Sequence, residues 1–139
     1  MSRPSKRSHY LKIAQVVSER STCLRRHYGA VIVKDDQIIS TGYNGAPRGD
    51  ANCCDTNKCV RAEHNVAHGE RYELCCAVHA EANAIIAAGR MNTIGSTLFL
   101  AGFDVNEDGT TSAIEKPEPC MMCARLIKQA GIKEVIISE

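Results

Sequence analysis

The chain has 139 residues, of which 44% are apolar and 24% are charged, and 17 Lys and Arg against 16 Asp and Glu give a net charge of +1. This length predicts one domain that spans residues 1–139. The near-neutral charge argues against a protein that mainly coats nucleic acid or an anionic membrane, so we expect no stable nucleic-acid partner. The sequence has no apolar run of about 18 residues and no signal-peptide pattern, which predicts a cytoplasmic protein without a membrane partner.

Eight cysteines are the unusual part of the composition, whereas only four Tyr, two Phe and no Trp are present. In a secreted chain of this size, so many cysteines would predict a disulfide framework. Without a secretion signal, metal binding or catalysis is the better interpretation. A small core with few aromatic residues also gains from a bound metal, so we expect some of the thiols to be structural.

The first half of the chain predicts a helix, a hairpin and a long irregular segment. Residues 8–20 carry apolar side chains at helical spacing, with Ser8 as the N-cap. Residues 30–33 and 37–40 are predicted to form two strands joined by a short polar turn. From residue 42 to residue 74 no period is sustained, and an irregular segment of that length needs something to hold it.

The second half predicts alternating helices and strands. The predicted elements are a helix at 80–88 ended by Gly89, a strand at 96–101, a hairpin of 103–105 and 110–112, a helix at 120–130 and a strand at 134–138. This alternation indicates an α/β protein in which helices cover a mixed sheet.

Two short motifs carry the chemistry. His79-Ala80-Glu81 opens the first of these helices, and Pro119-Cys120-Met121-Met122-Cys123 opens the second. One His and two Cys make three protein ligands, the number found in catalytic zinc sites that keep a fourth position for water. Both sulfurs lie on one side of a helix start, where unpaired N–H groups favour thiolates. We therefore predict a catalytic zinc held by His79, Cys120 and Cys123.

Glu81 distinguishes this site from a structural one. It lies two residues after His79 and can move protons without binding the metal. His-x-Glu followed by Pro-Cys-x-x-Cys is the signature of zinc-dependent nucleobase deaminases. A purely structural zinc site is the alternative, but it would require a fourth protein ligand and has no use for Glu81.

At these residues the sequence resembles the cytidine/deoxycytidylate deaminase family, and it is most similar to the members that act on deoxycytidylate (dCMP). The resemblance covers residues 8–137 and is carried by Cys23-Leu24-Arg25, Gly29-Ala30-Val31-Ile32-Val33, Ile39-Ser40-Thr41-Gly42-Tyr43-Asn44-Gly45-Ala46-Pro47 and His79-Ala80-Glu81-Ala82-Asn83-Ala84-Ile85. It implies a three-layer α/β/α fold with a mixed sheet and the zinc-dependent conversion of dCMP to dUMP. It also implies a homo-oligomer, often a hexamer, and regulation by dCTP and dTTP.

The resemblance further implies that Asn44 contacts the substrate sugar, that Arg25 contacts its phosphate and that Ala80 belongs to the substrate site. Taken alone, Asn44 would be a turn residue in Tyr-Asn-Gly, and Arg25 would be a solvated charge after the first helix. One departure from the family pattern lies at residues 103–116. Extra residues there, including the predicted hairpin, precede Pro119 at the expected rim of the active site.

The six remaining cysteines allow a second, structural zinc, whose binding energy would offset the entropy of ordering the irregular segment. Buried inert thiols are the alternative. The resemblance favours four cysteine ligands, namely Cys23, Cys53, Cys59 and Cys75. Other members of the family use two Cys and two His, which would nominate His64 and His68 with Cys23 and Cys53. Cys54 and Cys76 remain alternates.

The sequence therefore predicts a zinc-dependent hydrolase in which Glu81 protonates N3 of cytosine and later delivers a proton to the departing ammonia. One alternative keeps the same chemistry on cytidine, guanine or a base in tRNA. A non-catalytic zinc module that binds protein or nucleic acid is the alternative of a different class. Glu81 argues against that module, because a binding site has no need of a carboxylate beside an open zinc position.

Overall fold

Five strands form one mixed sheet in the computed structural model, which describes residues 2–139. The strands are β1 (Arg26–Lys34), β2 (Gln37–Tyr43), β3 (Thr97–Val105), β4 (Thr111–Ala113) and β5 (Glu134–Ile136). Their order is β2-β1-β3-β4, and β5 also pairs with β3. The pairing of β3 with β5 is parallel and the other pairings are antiparallel.

Within residues 2–139, the chain also forms six α-helices and one 3₁₀ turn. They are α1 (Lys6–Ser18), α2 (Cys53–Thr56), α3 (Val60–Glu63), the 3₁₀ turn (Tyr72–Leu74), α4 (Ala80–Ala88), α5 (Arg90–Thr93) and α6 (Met121–Gln129). None of the helices in this part of the chain is long and apolar enough to cross a membrane.

Alternating side chains of β1 divide the core into two parts. Val31 and Val33 pack with α1 on one face of the sheet. Ala30 and Ile32 pack with α4 and α6 on the opposite face. Successive residues of a strand point to opposite faces, so this pattern places helices on both sides of the sheet. The predicted three-layer α/β/α fold with a mixed sheet is confirmed.

Helix α1 begins earlier than the sequence predicted. Its N-cap is Ser5 rather than Ser8, and the Ser8 N–H donates to Ser5 Oγ at 3.1 Å. The earlier start places Lys6 on the helix, where its Nζ lies 3.0 Å from Asp36 Oδ2 in the turn after β1. Both serines suit a cap, and the local pattern does not include this contact with a distant turn.

The hairpin of β1 and β2 is present with longer strands than predicted. Asp35 and Asp36 have φ of 51° and 62°, the left-handed pair of a two-residue turn. In β2, Gly42 allows α4 to pack directly on the strand, because a Cβ atom built at this position would overlap the carbonyl oxygen of Ala80. The first turn of α4 therefore lies as close to the sheet as the backbones permit.

The second half of the sheet agrees with the prediction, except that two predicted strands are one. The strands predicted at 96–101 and 103–105 form the continuous β3, since β1 pairs with it from Thr97 to Asp104. Strand β4 then pairs with β3 in the predicted hairpin. Helix α6 starts at Met121, and β5 ends at Ile136 rather than at residue 138.

The cysteine-rich segment, residues 44–78, is irregular as predicted but contains α2, α3 and the 3₁₀ turn. Three of its non-glycine residues adopt positive φ, namely Asn57 (54°), Asn65 (55°) and Arg71 (51°). Helices of a single turn present no apolar stripe, so they leave no periodic signal in the sequence.

Candidate active site

The N-termini of two helices bring the motif residues together. His79 is the N-cap residue of α4, and Cys120 is the N-cap residue of α6. His79 Nδ1 lies 3.5 Å from Cys120 Sγ and 3.3 Å from Cys123 Sγ. The three ligand atoms lie within 4.8 Å of one another, and within residues 2–139 no other group of three His, Cys, Asp or Glu side chains converges in this way.

This donor set fits zinc. Zn–N bonds of about 2.05 Å and Zn–S bonds of about 2.3 Å place N and S about 3.6 Å apart around a tetrahedral ion. The observed distances from Nδ1 to the two sulfurs are close to that value. The Cys123 N–H also donates to Cys120 Sγ at 3.4 Å, a contact that favours the thiolate at the start of α6. Three protein ligands leave one tetrahedral position for water or substrate.

Glu81 lies in the first turn of α4 and is almost fully buried, with 4% of its surface exposed. Burial raises the pKa of its carboxyl above the ordinary value, because the charged form loses hydration. A carboxyl that holds a proton more readily near neutral pH is suited to give and take protons. Glu81 is not one of the three converging ligand residues, so its carboxyl stays available for that work.

The ligand residues are themselves perturbed by their surroundings. Burial, and then the positive charge of Arg61, lowers the pKa of the His79 imidazole. The neutral ring is the form that binds a metal ion. Burial, and then the negative charges of Glu81 and Cys120, raises the pKa of the Cys123 thiol. A bound divalent cation acts in the opposite direction and favours the thiolate.

A cavity of about 780 Å³ lies over the motif residues and is lined in part by His79, Glu81 and Cys120. Its size is that of a small-molecule site, about 300–1,000 Å³. Residues 103–116, which the sequence predicts to depart from the family pattern, supply Asp104, Ile114 and Lys116 to the same lining. This segment therefore lies on the wall of the cavity.

Arg25 lines this cavity with an unsatisfied donor. Its Nη1 is buried and has no hydrogen-bond partner among residues 2–139. Arg26 differs, because its Nε lies 2.9 Å from Asp104 Oδ1 and its Nη1 donates to the Tyr28 hydroxyl at 3.1 Å. A buried N–H group without an acceptor costs about 1–3 kcal/mol, more when it is charged. An anionic oxygen on a ligand would satisfy Arg25.

Asn44 also lines the cavity, but most of its amide is engaged within the protein. Its Oδ1 accepts from the Tyr28 N–H at 2.8 Å and from the Ser21 hydroxyl at 2.6 Å, and its Nδ2 donates to the Arg26 carbonyl at 2.9 Å. Nδ2 has two hydrogens, so one remains for a ligand. Ala80, the third predicted substrate contact, is fully buried and its side chain does not line the cavity.

The four cysteines predicted to hold a second zinc line the same cavity, namely Cys23, Cys53, Cys59 and Cys75. Cys23 Sγ accepts from the Arg25 N–H and Cys75 Sγ from the Ala77 N–H, each at 3.4 Å. No three of these sulfurs lie within 4.8 Å of one another in the described chain. Cys53 Sγ instead contacts Cys76 Sγ at 3.4 Å, which brings the alternate Cys76 into this group.

The other alternates occupy different environments. Cys54 is exposed, and the hydrogen bond of its thiol goes to the carboxylate of the adjacent Asp55. His64 follows α3 and is exposed, whereas His68 is exposed at the edge of the cavity that it helps to line. Burial, and then the neighbouring Cys76 thiol, raises the pKa of the Cys53 thiol to about 12.

Sequence reasoning missed Arg61 and Tyr72, which also line the cavity. Arg61 Cζ lies 4.5 Å from the centre of the Tyr72 ring. The Tyr72 ring meets the His79 ring edge to face, with centres 5.1 Å apart and planes at 88°. Both residues come from the part of the chain without periodicity, where an arginine is expected to be solvated. No sequence signal distinguishes them from surface residues.

Comparison with known proteins identifies relatives over almost the whole chain. The family model described as the cytidine and deoxycytidylate deaminase zinc-binding region matches residues 4–139. Deoxycytidylate deaminase of Mycobacterium phage D29 is 38% identical over 141 residues, covering 98% of this chain and 96% of the relative. The deoxycytidylate deaminase of Schizosaccharomyces pombe is 35% identical over 134 residues, covering 96% of this chain, which spans only 37% of that longer protein.

A solved structure is similar as well. The crystal structure of the dCMP deaminase from the cyanophage S-TIM5 in complex with dCMP and dUMP superposes with a TM-score of 0.64. It is 28% identical to this chain, and the match covers 97% of this chain and 82% of that one.

Proposed function

Since the chain belongs to the cytidine and deoxycytidylate deaminase family, we propose that it catalyses the zinc-dependent hydrolysis of dCMP to dUMP and ammonia, a reaction of pyrimidine deoxynucleotide metabolism. The convergence of His79, Cys120 and Cys123 beside the buried Glu81 is the observation that carries the proposal. The phage D29 relative, which the chain matches over nearly its full length, is named for this activity.

Four residues carry the reaction in this proposal. His79, Cys120 and Cys123 would hold zinc, and a bound zinc ion supplies the Lewis acidity that activates water for attack on C4 of cytosine. Glu81 takes the proton that this water gives up and delivers it to N3 of cytosine. Glu81 then takes the remaining proton from the new C4 hydroxyl and passes it to the amino group, which leaves as ammonia. One water is consumed, and the C4–N4 bond is replaced by a carbonyl.

The burial of Glu81 supports this role. Because burial raises the pKa of its carboxyl, the protonated form between the two transfers is easier to reach than it is for a solvated glutamate. The site also keeps Glu81 close to the ligand residues, because both motif residues of α4 lie in or beside its first turn.

The unpartnered Nη1 of Arg25 supports a substrate with a phosphate group. A guanidinium can hold two phosphate oxygens at once, so Arg25 is suited to bind the 5′-phosphate of dCMP. The remaining Nδ2 hydrogen of Asn44 is available for the sugar. A contact from Ala80 would have to come from its backbone, since its side chain is fully buried.

We also propose a second, structural zinc held by Cys23, Cys53, Cys59 and Cys75. The N–H contacts to the sulfurs of Cys23 and Cys75 support it, because such donors favour thiolates. The irregular backbone of the cysteine-rich segment supports it as well, because metal binding would offset the entropy of ordering this segment. Cys76, which contacts Cys53, is the alternate fourth ligand.

The assembly proposed for the protein is a homo-oligomer, with a hexamer as the specific expectation. Exposed apolar side chains on consecutive helices support association, since Ile86 is 74%, Met91 85% and Leu126 45% exposed. Light scattering measures the number of subunits.

We also propose that dCTP and dTTP regulate the activity. The dCMP saturation curve, measured with each nucleotide added, tests this regulation.

A substrate panel tests the proposed function. Zinc-loaded protein is incubated separately with dCMP, deoxycytidine, cytidine, guanine and tRNA, and both absorbance change and ammonia release are measured. We expect dCMP to have the highest kcat/KM. If another compound is turned over faster, that compound is the substrate in place of dCMP, and the proposed zinc chemistry still holds. No ammonia from any compound, with zinc bound, would identify a non-catalytic zinc module.

A further inference from the structure

Arg61 is a buried cation without a carboxylate partner. It is 6% exposed, its Nε donates to the Glu70 carbonyl at 3.0 Å, and its Nη2 donates to the Ala67 carbonyl at 3.0 Å. None of the ion pairs in residues 2–139 includes it. Carbonyl groups satisfy the N–H donors but do not neutralise the charge, so burial of this guanidinium requires a further favourable contact.

The Tyr72 ring provides that contact. The Arg61 guanidinium lies over it, with Cζ 4.5 Å from the ring centre, which is a cation–π distance. The same ring meets His79 edge to face, with centres 5.1 Å apart. Arg61, Tyr72 and His79 therefore form a continuous chain of contacts that runs from the cysteine-rich segment to the candidate zinc ligand.

His79 lacks the support that a metal-binding histidine usually has. Such a residue commonly donates its second ring nitrogen to a carboxylate or carbonyl, which fixes the plane of the ring. Both hydrogen-bond contacts of the His79 side chain in residues 2–139 involve Nδ1, the atom that faces Cys120 and Cys123. Within the described chain, the aromatic contact to the His79 ring comes from Tyr72.

We propose that Tyr72 and Arg61 are positioning residues for the zinc ligand His79. The Tyr72 ring fixes the plane of the imidazole, and Arg61, held by the carbonyls of Ala67 and Glu70, fixes the Tyr72 ring. The cysteine-rich segment thus orients a ligand of the metal as well as forming a wall of the cavity. This inference rests on the proposed role of His79 in binding zinc.

Two pairs of variants test the proposal. Tyr72→Leu removes the ring, and Tyr72→Phe keeps the ring and removes the hydroxyl. Arg61→Met removes the buried cation, and Arg71→Met makes the same change at an exposed arginine of the same segment. Zinc affinity is measured by competition with a chelator, and Co²⁺ spectra separate the His/Cys/Cys site from any site of four thiolates. Unfolding of each variant is followed in parallel.

We expect Tyr72→Leu to weaken metal binding at the His/Cys/Cys site about 10-fold, at the lower end of the effect of changing groups that support a ligand. Tyr72→Phe and Arg71→Met should stay within about 2-fold of the wild type, and Arg61→Met should weaken binding about 3-fold. The kcat for dCMP should fall in the same order with KM little changed. If Tyr72→Leu does not fold, Tyr72→Met replaces it in the same comparison.

Unchanged metal affinity and an unchanged Co²⁺ spectrum in Tyr72→Leu would overturn the proposal. A rise in KM alone would also overturn it, because the ring would then contact substrate rather than orient His79. Loss of thermal stability without loss of metal affinity would also overturn the proposal, because Arg61 and Tyr72 would then stabilise the fold without orienting His79. A wild-type protein inactive on dCMP, with the expected metal effects in the variants, would reject the substrate and retain the positioning role.

Discussion

The two cysteine-bearing regions of this protein are held in different ways. In the His79–Cys123 site, ligands stand at the N-caps of α4 and α6, two helices that pack on the sheet, and their atoms already lie near tetrahedral separations. In the cysteine-rich segment, the thiols lie on or beside single-turn helices, in a backbone that includes left-handed residues, and no three sulfurs converge. The core places the residues on the packed helices, whereas the proposed second zinc would itself have to bring together the thiols on the irregular backbone.

The largest effect is expected in the site on the helices. Glu81→Gln should reduce kcat by at least about 10²- to 10⁴-fold, because it removes the proton carrier, and should leave zinc bound. Metal analysis and a dCMP assay on the same preparation measure both quantities. Glu107→Gln, at the exposed turn before β4, is the matched control and should retain wild-type activity. Loss of zinc in Glu81→Gln would contradict the assignment of Glu81 as a proton carrier.

The second largest effect is expected in the cysteine-rich segment, where loss of a thiol should change the number of bound zinc ions. Native mass spectrometry should find two zinc ions in each wild-type chain, and Cys59→Ser or Cys75→Ser should reduce the number to one. The free energy of unfolding should fall by about 4 kcal/mol, the stabilisation from a metal at about 1,000 times its dissociation constant. Cys54→Ser, at an exposed thiol, should change neither quantity. A single zinc ion per chain in wild-type protein purified without chelator would contradict the proposed second site.

A smaller effect is expected at Arg25, which lines the cavity that the two regions share. Arg25→Ala should lower kcat/KM for dCMP about 10- to 100-fold, because a charge-assisted contact to the phosphate contributes about 1.5–3 kcal/mol. Deoxycytidine, which has no phosphate, serves as the control substrate and should be affected less than about 2-fold. Equal kcat/KM of the wild type for dCMP and deoxycytidine would contradict the deoxycytidylate assignment.

The smallest effect is expected in α1, which carries none of the proposed metal ligands. Ser5→Ala should destabilise the protein by about 1 kcal/mol through loss of the cap of α1, whereas Ser8→Ala should be close to neutral. Chemical denaturation of both variants measures the difference. The loss should be the same with and without chelator, because α1 packs on the face of the sheet opposite α4 and α6. A loss that depends on chelator would couple α1 to the metal sites.

The parts of the fold that could be predicted are those with local signals. Two consecutive Asp residues at positions 35 and 36 marked the hairpin turn, and Gly89 marked the end of α4. The two zinc motifs could be located because helix starts place their ligands at fixed spacing. The role of Arg61 could not be predicted, because its burial depends on carbonyls at Ala67 and Glu70 that an irregular backbone brings to it.

The start of α1 shows the same limit on a smaller scale. Ser5 and Ser8 are equivalent as local signals. The helix begins after Ser5, and this start places Lys6 on the helix, where it forms an ion pair with Asp36 in the turn after β1. The unpartnered Nη1 of Arg25 is likewise a property of the assembled cavity. Sequence patterns predict the groups that a site contains, but they do not predict which donors remain unsatisfied once the chain has folded.

The contact between Gly42 and α4 has a consequence for engineering conditional forms of the protein. A methyl group at position 42 would press on the carbonyl of Ala80, which stands between His79 and Glu81 in the chain. Gly42→Ala therefore pushes the first turn of α4, which carries both motif residues, away from the sheet. Such a substitution offers a route to a temperature-sensitive allele that alters no residue of the cavity.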